Sequence, residues 1–378
     1  MKVGIDLLWL KVGKVGGTES YARNLLDGFY EFADENSCSF VLFLAQDNVD
    51  TFDKYFAKST FRKVVLPIKS ENVVARIFAE NFVLDRYAKN EGIDLMFVPV
   101  YSKPLMKNRR IPYVITIHDL QALHYPEYFS KLKNLWLRFA WRRCATTAEK
   151  IVAISNFVKD DIIKMLHIDP NKIEVIYNPV SGLDKFVDFD ELRKKYKIQE
   201  RGYYYTVCSM LPHKNLKTLL YVIKKIKDQP LDIPKKLVIS GIGGKSETEI
   251  KNLIDELGIA DEVVITGFIS NEERNTLYKN AKIFLFPSIF EGFGMPPVEA
   301  MMLGTPVITT KKASLYEVTK GKAFYVDDPY NIDEWFMCIS ELNSWTRPFN
   351  IVAFEEYDIR TIYKEYIKLF EVTVRNDI

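Results

Sequence analysis

Short apolar, β-branched runs recur along this chain, and between them lie stretches whose apolar residues fall three and four positions apart. The runs Val3–Leu8, Phe40–Ala45, Leu95–Val98, Tyr113–Ile117 and Ile151–Ile154 read as strands. So do Tyr204–Cys208, Leu237–Ser240, Val263–Thr266, Ile283–Phe286 and Pro306–Thr309. Between the first two, Tyr21, Leu25 and Phe29 beside Ala22, Leu26 and Tyr30 have helical spacing. Strand–helix alternation of this kind marks βα units and parallel sheets, so the fold class is α/β.

A chain of 378 residues is too long for one such sheet with a single core. The turn-rich stretch Ile176–Gly182 closes one strand, a charged segment (Asp184–Arg201) follows, and a new strand then opens. We therefore expect two doubly wound, Rossmann-like domains, 1–178 and 182–358. A C-terminal helix at about 359–378 is expected to pack back on the first domain.

Composition narrows the class. Apolar residues make up 48% and charged residues 27%, as in ordinary soluble domains. Runs such as Phe40–Ala45 fall far short of the roughly 18 residues of a membrane span, and the opening Met1–Asp6 reads as a strand and not as a targeting segment. Cys38, Cys144, Cys208 and Cys338 lie far apart, which argues against a disulfide framework or zinc site and for a cytoplasmic setting. The net charge is only +2, yet residues 61–150 hold 16 Lys and Arg against 8 Asp and Glu. The segment Lys131–Arg143 is basic and aromatic at helical spacing. It reads either as a helix whose Leu and Trp face the core or as a peripheral contact with an anionic membrane, on its inner face. No nucleic-acid-binding module accompanies it.

One segment carries the chemistry. After the strand Ile283–Phe286, the run Phe290-Glu-Gly-Phe-Gly-Met-Pro-Pro-Val-Glu-Ala300 places Gly292, Phe293, Gly294 and Met295 in a loop that opens a helix. Such a loop offers backbone N–H groups to an anion. Glu291 sits in the loop, and Glu299 is placed in the first turn of the helix, where carboxylates accept from sugar hydroxyls. Amides for a diphosphate and acids for sugars describe a nucleotide-sugar site.

This sequence resembles glycosyltransferase family 4, retaining enzymes of the GT-B fold, whose hallmark is two Glu residues with seven between them. Glu291 and Glu299 have that spacing. The resemblance extends over Gly16-Gly17-Thr18-Glu19, Thr116-Ile-His-Asp-Leu120, Pro126-Glu-Tyr-Phe-Ser130, Leu211-Pro-His-Lys-Asn-Leu216, Thr266-Gly-Phe268 and Leu277-Tyr-Lys-Asn-Ala281. It implies two Rossmann-like domains facing a central cleft, with a nucleoside-diphosphate sugar as donor and neither cofactor nor metal. By position it implies that Lys214 pairs with the donor diphosphate and that Gly16 and Gly17 close over it. The backbone of Phe268 would meet the base, Glu299 would bind the ribose and Glu291 the transferred sugar, with His118 beside it. His213 stands where the family usually carries Arg, and a neutral imidazole is a weaker phosphate partner than a guanidinium. Catalysis would rest on Glu291, His118 and Lys214.

Within that resemblance the variants look most like mannosyl- and rhamnosyltransferases of bacterial surface polysaccharides, acting on a saccharide or polyprenyl-linked saccharide acceptor. The alternative is a non-catalytic nucleotide-sugar-binding protein that kept the fold. Three further motifs are set aside. Gly244-Lys245-Ser246 lacks the first glycine of a P-loop, since residue 239 is Ile. Asp188 and Asp190 read as helix caps and not as a metal pair. Ser314-Leu-Tyr-Glu317 reads as a capping box.

Overall fold

The computed structural model describes residues 1–101, 111–241, 245–345 and 349–375; Gly244 of the set-aside motif lies outside them. The chain divides into two compact units: residues 1–181 with the segment from Glu355 onward, and residues 182–354.

The first unit is built on β1 (Lys2–Asp6), β2 (Ser39–Ala45), β3 (Phe61–Leu66), β4 (Leu95–Val98), β5 (Tyr113–Ile117), β6 (Lys150–Ala153) and β7 (Ile173–Val175). They form one parallel sheet in the order β3-β2-β1-β4-β5-β6-β7. The second unit is built on β8 (Tyr203–Val207), β9 (Lys236–Ser240), β10 (Val263–Gly267), β11 (Ile283–Phe286), β12 (Val307–Thr310) and β13 (Phe324–Val326). Its parallel sheet runs β10-β9-β8-β11-β12-β13. Central strands are apolar throughout because helices cover both faces: Phe40 to Ala45 is buried at every position.

In each sheet the strand order reverses once, between β1 and β4 and between β8 and β11. At such a point the loops leaving two neighbouring strands diverge to opposite faces and open a crevice at the strands' C-terminal ends. In open α/β sheets such crevices are where ligands bind.

The helices of the first unit begin with α1 (Gly17–Phe32), α2 (Val73–Phe78), α3 (Leu84–Asn90), α4 (Gln121–His124), α5 (Lys131–Thr147) and α6 (Asn156–Leu166). A π-helical turn, Ala79–Val83, joins α2 to α3. The second unit carries α7 (Phe189–Tyr196), α8 (Leu216–Lys227), α9 (Lys245–Leu257), α10 (Asn271–Asn280), α11 (Met295–Met302), α12 (Leu315–Val318) and α13 (Ile332–Ser344). Leu219, Leu220 and Ile223 of α8 and Trp335 of α13 form its core with the strands beneath. The last helix, α14 (Ile359–Arg375), packs on α1 of the first unit. Phe29 of α1 meets Tyr366 and Phe370 at 5.9 and 6.2 Å, and a Cβ on Gly28 would lie 2.8 Å from Ile359 Cγ1.

Asp188 caps α7, its Oδ1 accepting from Asp190 N–H at 3.0 Å. Helix α5 divides the two readings of its sequence. Leu137 and Trp141 are buried, as a core-facing helix requires, so Trp141 is no membrane anchor; Leu132, Leu135, Trp136 and Phe139 are exposed. Among the described residues no helix is long and apolar enough to cross a membrane.

Candidate functional site

In the second unit, the loops after β8 and β11 flank the reversal point, and they hold most of the residues that the sequence assigns to this unit. After β8, Pro212–Lys214 forms a 3₁₀ turn, and Asn215 takes a left-handed conformation to open α8. The His213 carbonyl accepts from Ile289 N–H at 2.8 Å and from the Ser288 hydroxyl at 3.2 Å, which ties the two loops together. Lys214 Nζ donates to Glu291 Oε1 at 2.6 Å and lies 5.7 Å from the centre of the Phe286 ring. The cation expected at a diphosphate and the acid expected at a sugar are thus one ion pair.

The His213 side chain is buried, and burial, reinforced by the Lys214 charge, lowers its pKa to about 4. It is therefore neutral throughout the physiological range, the form in which it is a weaker phosphate partner than a guanidinium.

The glycine loop is held by its neighbours. Gly294 sits at φ 93°, and a Cβ there would come within 2.7 Å of Leu315 Cδ2, so glycine is required twice over. The Ser314 hydroxyl is 2.9 Å from the carbonyls of both Glu291 and Phe293 and donates to the loop. It does not cap α12: the capping box read from Ser314 and Glu317 is not made, because the loop offers that hydroxyl two carbonyls. The prolines at 296 and 297 carry no N–H, so donors at the start of α11 are confined to Met295 and the glycine loop.

Glu299 departs from expectation. It is the fifth residue of α11, beyond the first turn, and it is buried. Tyr278 OH donates to its Oε2 at 3.0 Å and Arg274 Nη2 to its Oε1 at 3.3 Å. Arg274 escaped the sequence reading because it lies 25 residues from Glu299, on the separate helix α10. Tyr278 lay within a quoted motif without a role. At the end of β10, Gly267 takes φ 74° and Phe268 stands 81% exposed.

In the first unit the loop after β1 ends at Gly16, whose φ of 55° and ψ of −129° suit only glycine; Gly17 begins α1. Glu19 steadies this loop, accepting from Gly13 N–H at 2.8 Å and from Arg23 Nε at 2.9 Å. His118 follows β5, and its Nε2 lies 2.8 Å from the Pro99 carbonyl at the end of the neighbouring β4. A carbonyl only accepts, so Nε2 carries the proton. Burial, opposed by that hydrogen bond, lowers the His118 pKa to about 4; the ring is neutral and Nδ1 is an acceptor. The Tyr21 ring meets it edge-on at 4.7 Å. His124, by contrast, is bound to Asp161 at 2.6 Å, in keeping with a structural role.

Two parallel-sheet α/β units of this topology are the architecture of the GT-B glycosyltransferases. The family model Glycosyltransferase Family 4 matches residues 15–181, and Glycosyl transferases group 1 matches residues 188–342. The O-antigen chain mannosyltransferase RfbU of Salmonella typhimurium is 27% identical over 356 residues, 93% of each chain. The O-antigen chain mannosyltransferase B of Escherichia coli is 28% identical over 58% of each. In fold, the Anabaena Alr3699/HepE crystal structure with UDP superposes with a TM-score of 0.73 at 20% identity, covering 98% of this chain and 99% of that one. The chain belongs to glycosyltransferase family 4.

Proposed function

We propose that the protein moves a hexose, mannose in the first instance, from a nucleoside diphosphate to a saccharide or polyprenyl-linked saccharide acceptor with retention of configuration. The setting is the synthesis of a cell-surface polysaccharide at the cytoplasmic side of a membrane. The observation that carries this reading is the Lys214–Glu291 pair beside the glycine loop at the reversal point of the second sheet. The UDP in the Anabaena crystal structure supports a nucleotide-linked donor, and the mannosyltransferase names of the relatives support mannose.

The scheme is electrostatic. Leaving of the diphosphate builds negative charge, which Lys214 and the amides of Gly294 and Met295 offset, with Gly16 and Gly17 closing on the phosphates. Donor exchange breaks the Lys214–Glu291 pair: the ammonium passes to the phosphates and Glu291 is released to the sugar's hydroxyls. The anomeric carbon gains oxocarbenium character, and the neutral His118 offers Nδ1 as acceptor to a sugar hydroxyl. Glu299, oriented by Arg274 and Tyr278, holds the ribose, and the backbone of Phe268 meets the base. Gly292 and Phe293 shape the loop, and His213 contributes through its carbonyl more than its ring.

Positive charge on the protein takes the place of a metal in this scheme. Activity is therefore expected to persist in excess EDTA. A requirement for Mn²⁺ or Mg²⁺, restored on adding it back, would refute that part.

The test of the whole is incubation with a panel of radiolabelled nucleotide sugars and a surface-polysaccharide acceptor, with the anomer of the product read by NMR. Transfer from GDP-mannose with retention is expected. Saturable binding without transfer or hydrolysis of any donor would identify a binding protein instead. The basic face of α5 is proposed to hold the enzyme at an anionic membrane. Changing Lys131, Lys133, Arg142 and Arg143 to Gln should abolish co-sedimentation with anionic liposomes and spare transfer to a soluble acceptor fragment.

A further inference from the structure

Along α2 and the π turn the usual burial pattern is inverted. Glu80 is fully buried, with Arg76 Nε 3.7 Å from its Oε1, while Phe78 and Phe82 stand 58% and 62% exposed. The two rings meet at 5.1 Å, and Val74 continues their line one helical turn earlier. A regular helix across this stretch would rotate each residue by a constant angle. Across the π turn Ala79–Val83 the spacing of four still brings Phe78 and Phe82 to one outward face, and Glu80, two positions from each, to the opposite, inward one. Burying a carboxylate and exposing two phenylalanines both oppose stability in water.

The same face of the sheet carries α5. The crossovers from β3 to β4 and from β5 to β6 run in the same direction across the sheet, so right-handed connections place α2–α3 and α5 on one side. Contacts agree: Asp85 of α3 accepts from the Tyr113 hydroxyl of β5, and Tyr101, after β4, packs on Trp141 of α5 at 5.2 Å and lies within the field of Arg76. On α5, Leu132, Leu135 and Phe139 form a second exposed ridge at helical spacing. The seventeen residues of α5 hold five Lys and Arg and no acid.

We infer that the α2 ridge, Val74, Phe78 and Phe82, is a second membrane anchor, and that with α5 it forms a two-point surface that inserts apolar side chains into an anionic bilayer. This rests on the peripheral-membrane reading of α5 and adds to it. Charge complementarity selects the occupant: an acid-free cationic helix beside apolar ridges suits anionic headgroups over acyl chains. One helix alone would leave the protein free to roll about its axis; two ridges fix which face of the unit meets the lipid.

The test uses the full chain with vesicles of phosphatidylcholine containing phosphatidylglycerol. The variant V74S/F78S/F82S is expected to lower the partition coefficient by about tenfold or more, because three inserted side chains are lost. Its salt dependence should match that of the unmodified chain, since every cation remains. Its thermal midpoint should change little, because all three side chains are largely exposed. Unchanged partitioning of this variant would overturn the second anchor while leaving the α5 reading in place. An unmodified chain that ignores anionic vesicles at low salt would overturn both. Self-association abolished by V74S/F78S/F82S, without vesicle binding, would assign the ridge to a second copy of the chain and overturn the inference. Transfer to a soluble acceptor, followed in parallel, tests the enzymatic reading separately.

Discussion

Lys214 and Glu291 each satisfy the other at 2.6 Å, so removing either leaves a half-buried charge without its partner. Glu291→Ala is expected chiefly to lower kcat, and Glu299→Ala to raise the donor KM, because the first is assigned to the sugar and the second to the nucleotide. Loss of a charged acceptor typically costs about 1.5–3 kcal/mol, or roughly one to two decades in the affected constant. Equal and small effects would refute the assignment. The two depressed imidazoles make a second prediction. His118 and His213 titrate near 4 in the folded chain, against 6.5 when unfolded, so the unfolded state binds more protons between those values. Their contribution to stability is complete above pH 6.5 and is lost as the pH falls toward 4. Thermal midpoints measured from pH 7.5 to 4.5 should drop for the native chain and drop less for a His118→Gln/His213→Gln variant. What could be read in advance at this scale was identity and not environment. The spacing of Glu291 and Glu299 is visible in the sequence, but the burial of His213 and the Arg274–Glu299 bond depend on chain segments that meet only after folding.

At the level of elements, the Ser314 hydroxyl is the main side-chain support of the glycine loop described here. Ser314→Ala should therefore raise the donor KM and cost about 1–3 kcal/mol, since it leaves loop carbonyls short of a donor. A variant with unaltered donor affinity would show that the loop holds its shape without that bond. The strands divide in an instructive way. Ten were evident as apolar runs; the three that were not are β3, β7 and β13, and each lies at a sheet edge. Phe61-Arg-Lys-Val-Val-Leu66 mixes charges into its pattern because one side is solvated, and β7 and β13 are three residues long. Edge strands are kept short and charged to discourage pairing with other chains, which removes the hydrophobic run that announces a central strand. The π turn was equally hidden, since one inserted residue leaves no mark on composition.

For the whole molecule, the return of α14 to the first unit makes that unit discontinuous in sequence. Truncation after Phe354 removes Tyr366 and Phe370 from Phe29 and exposes the aromatic face of α1. Two calorimetric transitions are expected for the full chain if the units unfold separately. Truncation should abolish or sharply lower one, assigned to the first unit, and leave the other, with nucleotide binding, intact. An unchanged pair of transitions would show that α14 adds little to the unit it rejoins. The helical spacing of residues 359–372 was readable beforehand, but its destination was set by complementary aromatic residues some 340 positions upstream, Phe29 and Tyr21 among them.

That return also sets a timetable for biosynthesis. The face of α1 that α14 covers leaves the ribosome long before its cover, which must wait for residues 182–354 to be made. At about 5–20 residues per second the interval is on the order of ten to thirty seconds. Throughout it the nascent first unit holds a seven-stranded sheet with part of its aromatic surface bare, a natural substrate for holding chaperones. The order of translation thus runs against the order in which this unit can be sealed, and the second unit, made later, is the first to be complete.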